Sequence, residues 1–381
     1  MSKNKIKVGV IFGGRSGEHE VSIVSAQSVL KFLDRSKYEA VPIGITKQGQ
    51  WIAGQKAVEY LKAGIKKLPF KSILIPDPTE NRLTNVSEKT LAPVTETQKP
   101  FTKVDVIFPV MHGTYGEDGC LQGLLEMANI PYVGCGVLGS AVGMDKIVQK
   151  QIFAQAKLPI VEYVYFLSSA WSKNRQQIIK NIENKLKYPV FTKPANTGSS
   201  VGIGKCHNRQ ELIRGINEAA RYDRKVIVEQ GIENITEIEV SVLGNDKPRV
   251  SALGEIIPSN EFYDYDAKYV DGKTQAVIPA KLSAELTKKI KAYAIEAFKV
   301  LDLSGLSRVD FLLSKDKKRI YLNEVNTLPG FTSISMYPKL WEAVGLSYSK
   351  LLNELIDLAI KRHQQKNQLL TSYQPKQDWY K

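Results

Sequence analysis

Twice in this 381-residue chain a short apolar run passes through a glycine-rich turn into a helix, and a chain that repeats that unit is committed to an open parallel sheet. The first run, Val8-Gly9-Val10-Ile11-Phe12, is apolar on both faces, as a strand covered on both sides must be. Gly13-Gly14-Arg15-Ser16-Gly17 follows, then a helix in which Val21, Val24, Val29, Phe32 and Leu33 fall on or near one face. The second unit runs from Val104-Asp105-Val106-Ile107-Phe108 through the loop His112 to Gly119 into a helix from Leu121 to Met127. Ligands of such sheets sit beyond the carboxyl ends of the strands, where both glycine-rich turns fall. The first turn lacks the GxGxxG spacing of a dinucleotide fingerprint. On local grounds its Glu18 is a first-turn acid or a ligand group, and His112 is a core histidine or a site residue. Between the two units, residues 49–100 are rich in Lys, Thr and Pro, weakly periodic, and read as an insertion.

From about residue 135 the texture changes. A helix is expected from Asp145 to Lys157, followed by strands at Val190 to Lys193, Lys225 to Glu229 and Glu237 to Val242, and helices at Ala284 to Leu301 and Tyr348 to Ala359. With 43% hydrophobic and 24% charged residues the chain can build two or three cored domains. The net charge of +14 is scattered, and the basic cluster after Lys361 carries no nucleic-acid motif, so it reads as a solubility feature. Cys120, Cys135 and Cys206 lack metal or disulfide spacing, and no run approaches the roughly 20 apolar residues of a membrane span. A cytoplasmic protein, with neither nucleic acid nor membrane as partner, is the expectation.

Two further runs, Ser307 to Leu313 and Arg319 to Asn326, flank Ser314-Lys315-Asp316-Lys317-Lys318, a length and composition that suit a hairpin turn. Centred on Lys317, the hairpin sets Leu312 opposite Leu322, Asp310 opposite Glu324 and Arg308 opposite Asn326, all on one face. Facing residues have Cβ atoms roughly 5 Å apart, so two carboxylates there need a counter-ion. Mg²⁺, which prefers carboxylate and amide oxygens, is one candidate. The other is Arg308, salt-bridged to one acid on a solvated face.

Asn196-Thr197-Gly198-Ser199-Ser200-Val201-Gly202-Ile203-Gly204 follows the strand that ends in Lys193. Its glycines free backbone amides to meet an anion, and it reads as a hairpin flap over phosphates or, more simply, a flexible turn. Phe262 to Tyr269 packs three tyrosines beside Lys268 and two aspartates, the composition of a lid or of a surface loop. Leu328 to Ser335 offers the Gly330 N–H and serine hydroxyls as anion donors.

Taken in order, these stretches resemble the D-alanine:D-alanine ligases of the ATP-grasp superfamily. The matching segments are Phe12-Gly13-Gly14 with Glu18 to Ser22, His112-Gly113 with Gly116 to Gly119, Met144-Asp145-Lys146, Lys193 to Asn196 with Gly198 to Gly202, Tyr263 to Tyr269, and Arg308-Val309-Asp310 with Asn323 to Ser333. The resemblance implies an α/β, ATP-grasp fold: an N-terminal open parallel-sheet (Rossmann-like) domain at 1–134, a central subdomain at 135–228, a catalytic subdomain at 229–366 and a tail at 367–381.

It also implies that ATP drives the joining of two D-alanines through an acyl phosphate. Glu18 would hold the ammonium of the first D-alanine and link through Ser199 to Tyr269 of the lid, with His112 nearby. Lys146, Lys193 and Ser200 would bind phosphates, and Lys268 would reach the transferring group. Glu229, Gln230 and Ile232 would read adenine, and Glu237 the ribose. Asp310, Glu324 and Asn326 would hold two Mg²⁺, or Mn²⁺ in their place. Arg308 with Gly330 would stabilise the oxyanion, so that Arg308 need not pair with either acid, and Ser335 with Met336 would take the second carboxylate. A homodimer is implied as well. The alternatives are a relative that uses D-lactate or D-serine, and a silent nucleotide- or nucleic-acid-binding protein. The full Tyr-Asp-Tyr-x-Ala-Lys-Tyr lid favours D-alanine, although Asp266 stands where the family has Glu.

Overall fold

A computed structural model describes residues 5–65, 68–87, 101–257 and 275–373. The lid segment with Lys268 and Tyr269 lies outside the described residues, as does the end of the tail.

The strands Ile6–Gly13, Tyr38–Ile45 and Val106–Pro109 pair in parallel with Ile6–Gly13 at the centre, and Trp51–Ala53 closes one edge antiparallel. The central strand is buried from Val8 onward, as its unbroken apolar run requires. Two strands of the expected insertion form a small sheet with a third just beyond it: Lys71–Leu74, Arg82–Val86 and Phe101–Lys103 pair antiparallel. Weak periodicity hid these strands because they are short and only half-covered.

A second sheet, wholly antiparallel, orders Gly204–Cys206, Val190–Pro194, Lys225–Gln230 and Tyr163–Leu167. The helices Ser168–Lys185 and Arg209–Ala219 bury Trp171, Ile179, Leu212 and Ile216 against it. The third sheet runs Gln275–Val277, Arg249–Ile257, Ile235–Gly244, Gly305–Ser314 and Ile320–Asn326, packed on the helix Ala284–Val300 through Ala294, Phe298 and Phe311. The last helix, Tyr348–Asn367, returns to the first sheet and buries Leu351, Leu355 and Ile356 with Val8, Phe12 and Val29. It extends past the expected Ala359. Arg362, His363 and Lys366 on its extra turns bond to Gly134, Asn129 and Glu126.

The hairpin register differs from expectation toward the turn. Asp310 does face Glu324 and Arg308 does face Asn326, but past a bulge Phe311 meets Leu322 and Leu312 meets Tyr321. The cause is burial. Leu322 and Val325 are both core residues, at 0% and 3% exposure, whereas strict alternation would set Leu322 on the same face as Glu324. One extra residue lets both apolar side chains enter the core while both polar ones face out.

Candidate active site

A cleft of about 580 Å³ opens between the second and third sheets and the turns of the first. Three adjacent strands bring Glu239, Asp310 and Glu324 abreast, since Asp310 pairs with Glu239 on one side and Glu324 on the other. Glu239 was not anticipated, although it shares the parity of Glu237. Arg308 answers this charge: it donates to both oxygens of Asp310 at 2.7 Å and meets Glu239 at 3.1 Å. The salt bridge from Arg308 to one hairpin acid is therefore present, although the resemblance did not require it, and it lies on a largely buried face rather than a solvated one. Burial works against the guanidinium charge, and Asp310 and Glu239 override it and hold the group protonated. Asn326 donates a hydrogen bond from its side-chain amide nitrogen to Asp310 at 2.9 Å.

Asp145 caps the helix Lys146–Gln155 by accepting from the N–H groups of Ile147 and Val148. That cap aims Lys146 into the cleft, where it donates to Thr197 C=O at 2.7 Å and lies 3.8 Å from Glu324. Lys150, one turn on, was missed by the sequence reading. It is 1% exposed and meets Glu229 at 3.0 Å, and Lys193 meets the other oxygen of Glu229 at 2.6 Å. Burial alone would push the Glu229 carboxyl up, but Lys150 and Lys193 outweigh it and hold it at about 2. The i, i+4 spacing from Lys146 was the available signal for Lys150.

Gln230 turns its amide away, to Lys187 and Pro189. Ile232 is half-buried in the following loop, and Glu229, Gln230 and Ile232 are not among the residues that line this cleft. Glu237, Ser200, Ser335 and Met336 do line it. Ser335 caps no N–H of its own helix; its hydroxyl accepts instead from Thr332 N–H at 3.0 Å, close under Gly330.

The flap is the turn between Val190–Pro194 and Gly204–Cys206. Ser199 and Ser200 take left-handed backbone angles, a conformation that costs on the order of 1–3 kcal/mol at each non-glycine residue. Ser199 is held there by donating to Glu18, the residue just before the helix His19–Phe32. At Gly198 a Cβ would stand 2.5 Å from the Glu18 carboxylate, so any larger residue there would displace Glu18. His112 is buried, donates through Nδ1 to Leu328 C=O at 3.0 Å, and pairs Nε2 with Ser25 at 3.1 Å. Burial pushes its basicity down, against a smaller upward pull from Glu18. Glu117, also unanticipated as a site group, accepts from Gly113 N–H at 2.7 Å and Leu328 N–H at 3.3 Å. Burial, helped by Glu18, pushes its carboxyl up to about 8.

Among the described residues no three His, Cys, Asp or Glu side chains are arranged to hold a metal by themselves. The cleft instead presents Asp310, Glu324 and the Asn326 amide on one face, with Glu239 beside Asp310 and paired with Arg308. That hard-oxygen set suits Mg²⁺ completed by substrate phosphates rather than a metal caged by protein.

Sequence profiles described as D-ala D-ala ligase N-terminus and C-terminus match residues 7–135 and 152–357. The chain is 52% identical over 373 residues to a D-alanine–D-alanine ligase of Natranaerobius thermophilus, covering 97% of this chain and 99% of that one. It is 49% identical over 365 residues to that of Bacillus cytotoxicus, covering 96% and 98%. Among solved structures, the D-alanine–D-alanine ligase of Coxiella burnetii superposes with a TM-score of 0.80 at 35% identity, over 96% of this chain and 97% of that one. A D-Ala:D-Ser ligase of Enterococcus faecalis gives 0.80 at 37% identity, over 93% and 100%. With both halves matched and near-full-length relatives at about half identity, the chain belongs to the D-alanine–D-alanine ligase family, whose fold is ATP-grasp.

Proposed function

We propose that this protein joins two D-alanine molecules into D-alanyl-D-alanine, consuming ATP and releasing ADP and phosphate for the synthesis of peptidoglycan precursor. The observation that carries the reading is one cleft in which Lys146, the serine flap and the Asp310–Glu324–Asn326 oxygens surround Glu18 and Arg308. Phosphoryl transfer needs positioned charge and exclusion of water more than covalent help, and the side chains supply it.

In this reading Glu18 accepts the ammonium of the first D-alanine, whose carboxylate attacks the γ-phosphoryl group to give an acyl phosphate. Lys146, Lys193 and Ser200 hold the phosphates, and Lys268 meets the transferring group. The amine of the second D-alanine then attacks the acyl carbon, with Arg308 and the Gly330 N–H on the oxyanion and Ser335 with Met336 on the second carboxylate. His112 and the Ser199–Tyr269 link keep the first substrate aligned. Glu229, Gln230 and Ile232 flank the adenine, and Glu237 the ribose. Asp310, Glu324 and Asn326 would hold two Mg²⁺, or Mn²⁺, which offset phosphate charge when bound. The domain division at about 134 and 228, a cytoplasmic location and a homodimer complete the proposal. Three free cysteines and the absence, among the described residues, of a helix long and apolar enough to cross a membrane are in keeping with it.

The likeness to a D-Ala:D-Ser ligase makes the second substrate the point to test. The assay follows ADP and products from ATP, Mg²⁺ and D-alanine alone, then with D-serine or D-lactate added, across pH. D-Alanyl-D-alanine from D-alanine alone is expected. Turnover only with D-serine or D-lactate would move the chain to that specificity, and no turnover with any of them would overturn the reading.

A further inference from the structure

The helix Lys146–Gln155 turns one face to Ile320–Asn326, the outermost strand of its sheet and the one that carries Glu324 and Asn326. An edge strand leaves backbone N–H and C=O groups without ladder partners. Gln149 meets both such groups of a single residue. Its Oε1 accepts from Val325 N–H at 3.0 Å, and its Nε2 donates to Val325 C=O at 3.1 Å and to Gly143 C=O. Only one orientation of the amide satisfies all three, so the network itself fixes which atom is nitrogen. Gln149 is 2% exposed, so these bonds are shielded from bulk solvent.

Val325 lies between Glu324 and Asn326 and two residues from the bulge. A bulge removes ladder bonds just where register matters most, because a slip of one residue would exchange the core and cleft faces. We propose that Gln149 is a positioning residue: by clamping both backbone groups of Val325, it fixes the register in which Glu324 and Asn326 face the cleft. The inference rests on the reading of those two side chains as metal ligands. Leu322 N–H is held independently by Pro159 C=O at 2.6 Å, and Asn323 C=O by Lys150 at 3.4 Å. Loss of Gln149 therefore loosens one residue without freeing the strand.

The test uses the full-length protein. Gln149→Met keeps the volume and removes every bond, and Gln149→Glu keeps the acceptor for Val325 N–H and removes the donor. Amide hydrogen exchange at Val325 is measured without nucleotide, and Mg²⁺ and Mn²⁺ binding are then titrated with ADP present. Exchange at Val325 should quicken about tenfold in Gln149→Met and less in Gln149→Glu, as expected for loss of roughly one buried hydrogen bond. Mg²⁺ affinity should fall about tenfold, as for other supports of a metal ligand. Mn²⁺ affinity should fall less, because Mg²⁺ demands near-ideal octahedral geometry. Unchanged exchange at Val325, or equal loss of both metals together with lowered thermal stability of the whole protein, would overturn the clamp. Glu324→Gln is run in parallel: unchanged metal affinity there sinks the metal reading, while Val325 exchange still judges the clamp.

Discussion

His112 donates its Nδ1 hydrogen to the carbonyl of Leu328 at 3.0 Å, across 216 residues of sequence. Because a carbonyl can only accept, the bond sets the tautomer and leaves Nε2 to accept from the Ser25 hydroxyl. Ser25 in turn accepts from Phe331 N–H at 3.4 Å, and Glu117 accepts from Leu328 N–H. The loop that presents Gly330 is thereby fastened through Leu328 to the His112–Glu117 turn and through Phe331 to the helix His19–Phe32.

Breaking that fastening should slow chemistry more than it weakens ATP binding. His112→Gln is expected to lower kcat by about 10- to 100-fold, the rate equivalent of one or two buried hydrogen bonds, with the KM for ATP little changed. Steady-state kinetics on the folded variant checks it, and a wild-type kcat would remove His112 from the positioning network. Since burial lowers the basicity of His112, the ring is neutral at pH 7 and above, and the loss in kcat should be the same from pH 7 to pH 9.

Glu117 makes stability depend on pH in a defined direction. Its carboxyl rises from 4.5 to about 8 on folding, so the folded chain binds the extra proton and its contribution is fully present below pH 4.5. That contribution is lost as pH rises from 4.5 to 8. Thermal unfolding of Glu117→Gln against wild type should show the variant gaining relative stability across this window. A pH-independent difference would contradict the raised carboxyl.

The Lys150–Glu229–Lys193 cluster carries a third expectation. Lys150→Met leaves a buried carboxylate with one cation, which costs about 3 kcal/mol when a buried ion pair loses a partner. Adding Glu229→Gln should return part of the loss. Urea unfolding of the single and double variants measures both. The Glu229 carboxyl falls from 4.5 to about 2 on folding, so its stabilisation holds above pH 4.5 and disappears as pH drops through 2. Acid titration of wild type against Glu229→Gln should show the gap closing in that window.

Glu324→Gln changes one oxygen to an amide at small steric cost, and it should nearly abolish turnover while leaving the fold intact. ADP release and circular dichroism together decide it. Wild-type turnover would refute the role given to the hairpin acids.

Much of this was written locally. The glycine-ended apolar runs demanded a parallel sheet, and the shared parity of Arg308, Asp310, Glu324 and Asn326 placed all four on one face before any coordinates. Parity is a property of a single strand, and it needs no partner. The short strands of residues 71–86 escaped notice because they bury too little to enforce a pattern.

What sequence alone determined, then, is which residues share a face and where turns must fall, since backbone geometry repeats with a fixed period. Only the tertiary structure decided that a bulge at Asn323 sends both Leu322 and Val325 inward, and that Arg308 binds Asp310 and Glu239. It alone set Lys150 against Glu229, and Gln149 against Val325 176 residues away. Those choices come from competition among distant groups for the same buried space, and no local periodicity encodes the winner.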